Sequence, residues 1–182
     1  MSENPDFQRN YERAMLKFIG SLGSKKPGRI FHERISSASG KDEDGELIVL
    51  GNDIFLSKKS SFVLSEKFNL DALSYCGSRR GSIRKGNFIP GPNFLNDLIP
   101  FIDELNYVVV NDKSEWLFLC GRDVFRNGII KKSILSYGNA LVLNSRRECL
   151  GYGKIEEKGS LFLRNVFDIG DFLRRERKNS EK

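Results

Sequence analysis

The sequence predicts an α+β protein in two parts: an antiparallel sheet with helices, followed by a compact barrel of short strands. Three observations carry that reading. Apolar residues recur at helical spacing near the start and again around the middle of the chain, while short apolar pieces divided by Gly, Asn and Asp fill most of the rest. Five or six such pieces crowd into roughly the last 70 residues, where closing a sheet on itself removes exposed strand edges.

Taken in order, Phe7, Tyr11, Ala14, Met15, Phe18, Ile19 and Leu22 share one face of a first helix, which Gly23 and Pro27 stop. Strands are expected over 29–36, 47–50 and 54–56, linked by the acidic loop 40–45 and by Gly51-Asn52. Ser57 is placed as the cap of a short helix to about Lys67 that buries Phe62 and Val63. Segments 73–77 and 82–84 read as strands around a basic turn, 78–81. A helix over 92–104 presents Phe94, Leu95, Leu98, Ile99 and Ile102 on one face, and Pro100 should kink it.

The β-branched run 107–110 and the turn-prone Asn111, Asp112 and Lys113 mark the domain boundary, giving domains of residues 1–106 and 107–182. Beyond it, strands are expected at 116–120, 128–131, 140–144, 149–156 and 161–166, with one helical turn inside the glycine-bracketed stretch 121–128. Asp168 is placed as the cap of a last helix, 169–177, with Ile169, Phe172 and Leu173 inward and a frayed polar tail behind it.

The 182 residues, 39% apolar, can fill one ordinary core or two small ones, which excludes collagen-like, mucin-like and wholly disordered chains. No apolar run approaches the roughly 20 residues that cross a bilayer, and the opening MSENPDFQRNYERA lacks the apolar stretch of a secretory signal. A soluble intracellular protein with no membrane partner is expected. Cys76, Cys120 and Cys149 are odd in number and widely spaced, so they read as buried, reduced thiols with no metal clip. The single His32 lies in a strand-like alternation and reads as a structural or surface residue.

Charge is unevenly placed. Residues 1–112 carry 15 basic and 15 acidic side chains and residues 113–182 carry 15 and 9, so the whole net charge of +6 belongs to the second part. Arg174, Arg175, Glu176, Arg177 and Lys178 alone sum to +3. A basic surface concentrated in one region is the footprint of a polyanion binder, because each cation that neutralises a phosphate releases condensed counterions. Cations in the last turn of a helix are also stabilised by its dipole, and the two readings are compatible.

Catalytic and cofactor motifs fail on inspection. The stretch 81–86 has phosphate-loop glycine spacing, but Asn87 and Phe88 stand where Lys and Ser/Thr are required. Gly151-Tyr-Gly153 lacks the third glycine of a dinucleotide fingerprint and reads instead as close backbone packing in a strand. The paired acids Asp103-Glu104 and Glu156-Glu157 are adjacent and point apart. No catalytic residue, metal site or cofactor is expected.

One order of events is specific: the piece Trp116-Leu-Phe-Leu-Cys120, the glycine-bracketed stretch with Val124 and Phe125, a strand ending in Leu143, a polar turn at 145–148, and Leu150-Gly-Tyr-Gly-Lys154. It resembles a PUA domain, the RNA-binding pseudo-barrel named after pseudouridine synthase and archaeosine transglycosylase. The closing stretch 161–175, together with 73–85 and the Pro-interrupted helix before Tyr107, is similar to the Nip-seven family of ribosome-biogenesis factors. Residues 28–45 depart from the eukaryotic pattern, which suggests an archaeal member. The resemblance implies an N-terminal α/β domain before the PUA domain, no catalytic activity, and a role in pre-rRNA processing and large-subunit assembly. The implied partners are RNA (pre-rRNA, with single-stranded or U-rich segments among the targets), pre-ribosomal particles and other assembly or RNA-processing proteins. The expected location is cytoplasmic, or nucleolar in a eukaryote.

Two other functions fit the same features: a PUA translation factor acting on the small subunit and initiator tRNA, and an RNA-modifying enzyme with the PUA domain as a targeting appendage. The RNA surface is expected on the last helix, with Arg174, Arg175 and Lys178 toward solvent and Arg177 beside them. Lys154, Lys158 and Arg164 extend it on adjoining strands, while Arg146 and Arg147 lie on a hairpin tip that could sit at the far end. Tyr152 is a stacking candidate, against its reading as a buried barrel aromatic. The first domain, with Arg79, Arg80, Arg84 and Lys85 as its basic strip, is expected chiefly to contact protein partners.

Overall fold

A computed structural model describes residues 5–31, 45–58, 77–171 and 174. It divides into two compact units, residues 1–19 with 26–98 and residues 20–25 with 99–182.

Helix α1 (Pro5–Ser21), which belongs to the first unit as far as Ile19, buries Tyr11, Ala14, Met15, Phe18 and Ile19, the stripe expected from a 3.6-residue period. Strands β1 (Gly45–Leu50), β2 (Asp53–Lys58), β3 (Ser78–Arg84) and β4 (Asn87–Pro90) form an antiparallel meander in chain order. The β3–β4 turn holds Lys85 at φ 50° and Gly86 at φ 72°, the pair of positive angles that lets a two-residue loop follow the twist of its strands. Helix α2 (Pro27–Ile30) and helix α3 (Pro92–Asp97) each begin on a proline, whose missing N–H costs nothing in a first turn. Phe18, Phe88 and Phe94 close the core edge-to-face, with ring centroids 4.7–6.1 Å apart.

Three expectations fail in this unit. Residues 29–30 belong to the α2 turn that Pro27 initiates, not to a strand; the rest of that expected strand, with His32 and the loop 40–44, lies outside the described residues. Ser57 is buried within β2, opposite Glu46, and Lys58 continues that strand where a helix was expected to begin; 59–67, with Phe62 and Val63, is outside the described residues. The supposed basic turn 78–81 is the first half of β3, because Arg79 and Arg80 each find a carboxylate and need no solvent. Residues 73–76, including Cys76, are outside the described residues.

The second unit opens on a 3-10 segment, Ile99–Glu104, where Pro100 interrupts regular helix and Phe101 leaves helical geometry. Then come β5 (Tyr107–Val110), α4 (Asp112–Leu119), β6 (Val124–Phe125), a 3-10 turn Arg126–Gly128, β7 (Ile129–Ser133), β8 (Asn139–Leu143), β9 (Cys149–Ile155) and β10 (Leu161–Asp168). They make one six-stranded sheet in the order β6-β10-β9-β8-β5-β7, antiparallel except for the β5–β8 pair. Val108, Val110, Phe118, Val124, Ala140, Val142, Leu150, Ile155, Phe162 and Leu163 form its core. The sheet curls: Lys132 on the β7 edge and Arg126 beyond the β6 edge both sit over the Phe162 ring, at 4.4 and 5.5 Å from its centroid.

Gly151 and Gly153 are structural, as the close-packing reading required. A side chain at 151 would strike the Phe167 carbonyl, and one at 153 the Leu163 side chain and Arg164 carbonyl.

Residues 111–120 overturn a strand. Asn111 caps α4 by accepting the Ser114 N–H at 2.9 Å, and Asp112 and Glu115 favour its positive end. A strand would face the run 116–119 both ways; the helix buries only Phe118, half-buries Leu117 and Leu119, and leaves Trp116 exposed. Cys120, one turn beyond Trp116, is therefore exposed, not buried as expected. Cys149 is buried, and burial pushes its thiol up to about 12, partly offset by its bond to the Gly151 carbonyl. Asp168 is the last residue of β10, and Ile169, expected inward, is exposed. Phe172 and Leu173 lie outside the described residues. Among the described residues no helix is long and apolar enough to cross a membrane.

Candidate nucleic-acid interface

The register of β9 and β10 decides which predicted cations meet. Lys154 pairs with Arg164 across the two strands, so their exposed side chains share one face of the sheet. Lys158 stands on the loop that leaves β9 two residues beyond Glu156, whose largely buried carboxylate holds Arg164 at 2.9 Å. Lys154 and Lys158 are exposed and have no ion-pair partner among the described residues.

Arg174 does something else. Its guanidinium forks onto the buried Asp168 carboxylate at 2.8 and 2.9 Å and donates to the Leu119 carbonyl at the end of α4. A cation there satisfies orphan carbonyls and meets the negative end of the helix dipole. The hydrogen bonds to Asp168 hold this guanidinium's pKa above its ordinary value, more than burial lowers it. Asn165 completes the joint, its side-chain N–H groups reaching the Phe118 carbonyl and Asp168. The rotation that predicted a solvent-facing Arg174 thus fails, because a buried carboxylate recruits the side chain back to the barrel. Its anchor Asp168 ends β10, four residues along the strand from Arg164. Arg175, Arg177 and Lys178 lie outside the described residues.

Arg146 and Arg147 occupy the β8–β9 turn, at the opposite end of β9 from Lys154, about 17 Å away at roughly 3.4 Å per residue. Arg146 pairs with Glu148 at 3.2 Å. The nearly buried Asn144 donates to Glu148 and to Glu115 of α4, and a hydrogen bond from Asn144, then the charge of Arg146, holds the Glu148 carboxyl below its usual range. In the first unit, Arg79 grips Asp53 at 2.6 Å and Arg80 pairs with Asp97; burial lowers the Arg80 guanidinium pKa and Asp97 partly restores it. Arg84 and Lys85 remain exposed there.

A cleft of about 590 Å³ lies where α4 begins, lined by Lys113, Ser114, Phe125, Arg126, Asn127 and Asp123 among others. Two cations, a half-exposed phenyl ring and amide and hydroxyl groups can receive a phosphate and a stacked ring; Asp123 is occupied by the Asn165 backbone N–H at 2.9 Å. None of these residues was singled out as a binding residue from sequence, since their convergence depends on α4 being a helix. Tyr152 is buried and stacks on Phe167 at 6.2 Å, with its phenol pushed up to about 12 by burial, so it is a barrel aromatic and no stacking platform.

Residues 106–177 match the family model of the UPF0113 PUA domain. The chain therefore carries a PUA domain in this segment, and PUA domains are in general RNA-binding. Among solved structures the chain is similar to a hypothetical protein of the hyperthermophilic archaeon Pyrococcus horikoshii OT3, at 15% identity and TM-score 0.47 over 84% of this chain and 89% of that one. It is similar also to a conserved PUA domain protein from Thermoplasma acidophilum, at 20% identity and TM-score 0.47 over 84% and 94%. A PUA domain structure from Aeropyrum pernix K1 matches at 17% identity and TM-score 0.43 over 82% and 85%. No curated protein sequence matches the chain.

Proposed function

We propose that the chain is a non-enzymatic RNA-binding factor in pre-rRNA processing and large-subunit assembly, and that its PUA domain makes the RNA contact. The observation that carries the RNA reading is the grouping of exposed cations on the PUA domain: Lys154 on β9 and Lys158 on the loop after it lie near Arg164 with no ion-pair partner among the described residues, whereas two of the four basic-strip residues of the first unit, Arg79 and Arg80, are held by Asp53 and Asp97. Only unneutralised cations gain by displacing counterions from a phosphate backbone. The ribosomal role is supported by the similarity of stretches 73–85 and 161–175 to the Nip-seven family.

Crosslinking of the full chain in cells of its source, with sequencing of the bound RNA and sedimentation of the complexes, tests both parts. Pre-rRNA crosslinks in particles preceding the large subunit are expected. Recovery with small subunits and initiator tRNA would overturn the assembly role, and base modification of labelled RNA by the purified chain would overturn its non-enzymatic character.

A further inference from the structure

The loop from β7 to β8 is held from within by one side chain. Asn106 is fully buried; its carbonyl accepts the N–H groups of Leu135 at 2.7 Å and Ser136 at 3.3 Å, and its amide donates to the carbonyls of Ser136 and Asn139, both at 2.9 Å. Both donors and both acceptor positions of the amide are thereby used. Gly138 packs on the Ser21 carbonyl, too close for any side chain, and accepts the Ile155 N–H at 2.9 Å. The backbone of the loop is fixed on both sides.

What this fixed loop presents is apolar and exposed: Leu135, and Tyr137 with 74% of its surface open. The Tyr137 hydroxyl donates to the Glu156 carbonyl at 3.4 Å, which tethers the ring over the end of β9 and leaves its face free. Charge lies alongside. Asn139, two residues on, pairs with Lys154, which pairs in turn with Arg164, and Lys158 follows Glu156 on the next loop. Glu156 is held by Arg164 and Glu157 is exposed beside Lys158, so these five side chains leave a net positive charge. An exposed ring at a rigid, cationic edge is suited to a ligand that combines a flat face with negative charge.

We propose that Tyr137 is the stacking platform for an unpaired RNA base, with Lys154 and Lys158 receiving the phosphates that flank it. The inference rests on the RNA-binding reading and sharpens it: the ring can take a base only when that base is out of a helix, so the surface selects single-stranded over duplex RNA. Because every base has a flat face, the platform is tolerant of sequence.

The test is fluorescence anisotropy of the full chain with an oligouridine of about ten nucleotides, the same oligomer carrying abasic sites, and a duplex of equal length. Y137A should weaken oligouridine binding about 10- to 100-fold, Y137F should bind like wild type, and neither should alter the melting temperature or the salt dependence. The abasic oligomer should bind wild type more weakly and be indifferent to Y137A. Wild-type binding that Y137A leaves unchanged overturns this inference alone and assigns the loop to a protein partner. Equal losses in Y137A and Y137F overturn it too, because the hydroxyl tether would then matter and not the ring. A wild-type chain that binds none of the three RNAs overturns the RNA reading itself.

Discussion

The two ends of the PUA sheet use one device to different effect. At one end the buried Asn106 fixes residues 134–139, and at the other the buried Asn144 fixes residues 145–148, accepting the N–H groups of Arg146 and Glu148 at 3.0 and 2.9 Å. Each asparagine replaces backbone partners that an irregular segment cannot find in a strand ladder. The cargo differs. The Asn144 turn carries two arginines, but Glu148 and Glu115 sit in the same network and bring its four charges to zero. The Asn106 loop carries no charge of its own, yet it sets Tyr137 beside exposed lysines that have no ion-pair partner among the described residues. What distinguishes a polyanion surface is therefore how its cations are partnered, and a count of basic residues along the chain does not reveal that.

Breaking the Asn106 pin should have the largest effect. N106A removes all four hydrogen bonds that a fully buried amide makes to the loop and is expected to cost about 3 kcal/mol, read as a lowered urea midpoint and lost exchange protection at residues 135 and 136. Next comes R174A, expected to cost about 2 kcal/mol, since it uncovers the buried Asp168 and the Leu119 carbonyl. R174A should therefore lower the thermal midpoint, whereas a purely RNA-contacting arginine would leave it unchanged. N144A should cost less than either, about 1 kcal/mol, because two of the Asn144 hydrogen bonds go to the Glu115 and Glu148 carboxylates, which water can solvate in its place.

The smallest effect concerns the strand between the two ends. Cys149 and Tyr152 on β9 both have their neutral forms favoured by burial, which pushes each to about 12 in the folded chain. The folded state then binds more protons than the unfolded state once pH passes about 9, so stability from these groups is fully present below pH 9 and is lost as pH rises through 12. Denaturation midpoints across that range, compared with a Y152F variant, should show a shallower alkaline decline in the variant.

Much of the fold was legible where local rules and tertiary contacts agree. The α1 stripe, the 51–52 hairpin turn, and strands β7 to β10 all follow from period and turn residues. The helix α4 was misread because its apolar run mimics a strand, although Asn111 and the acids after it were the overlooked cap signal. The site was less legible. Lys154, Lys158 and Arg164 were singled out from charge alone, and the structure shows only that Lys154 stands against Arg164 with Lys158 on the following loop. Arg174 was misjudged, since its partners depend on where Asp168 and Leu119 end their elements. Asn106 gave no local signal at all: its partners lie about 30 residues away in sequence, beyond the reach of periodicity, whereas Asn144 bonds chiefly to residues two and four places on and only Glu115 lies far off.

The most direct test of the contrast between the two ends is the salt dependence of RNA affinity, measured for wild type, K154A/K158A and R146A/R147A. The account predicts that the lysine pair flattens the slope of log affinity against log salt by about 0.7 for each phosphate no longer neutralised, with the fold intact, and that the arginine pair leaves the slope as in wild type. A slope flattened by R146A/R147A and untouched by K154A/K158A would place the RNA at the other end of the barrel and contradict it.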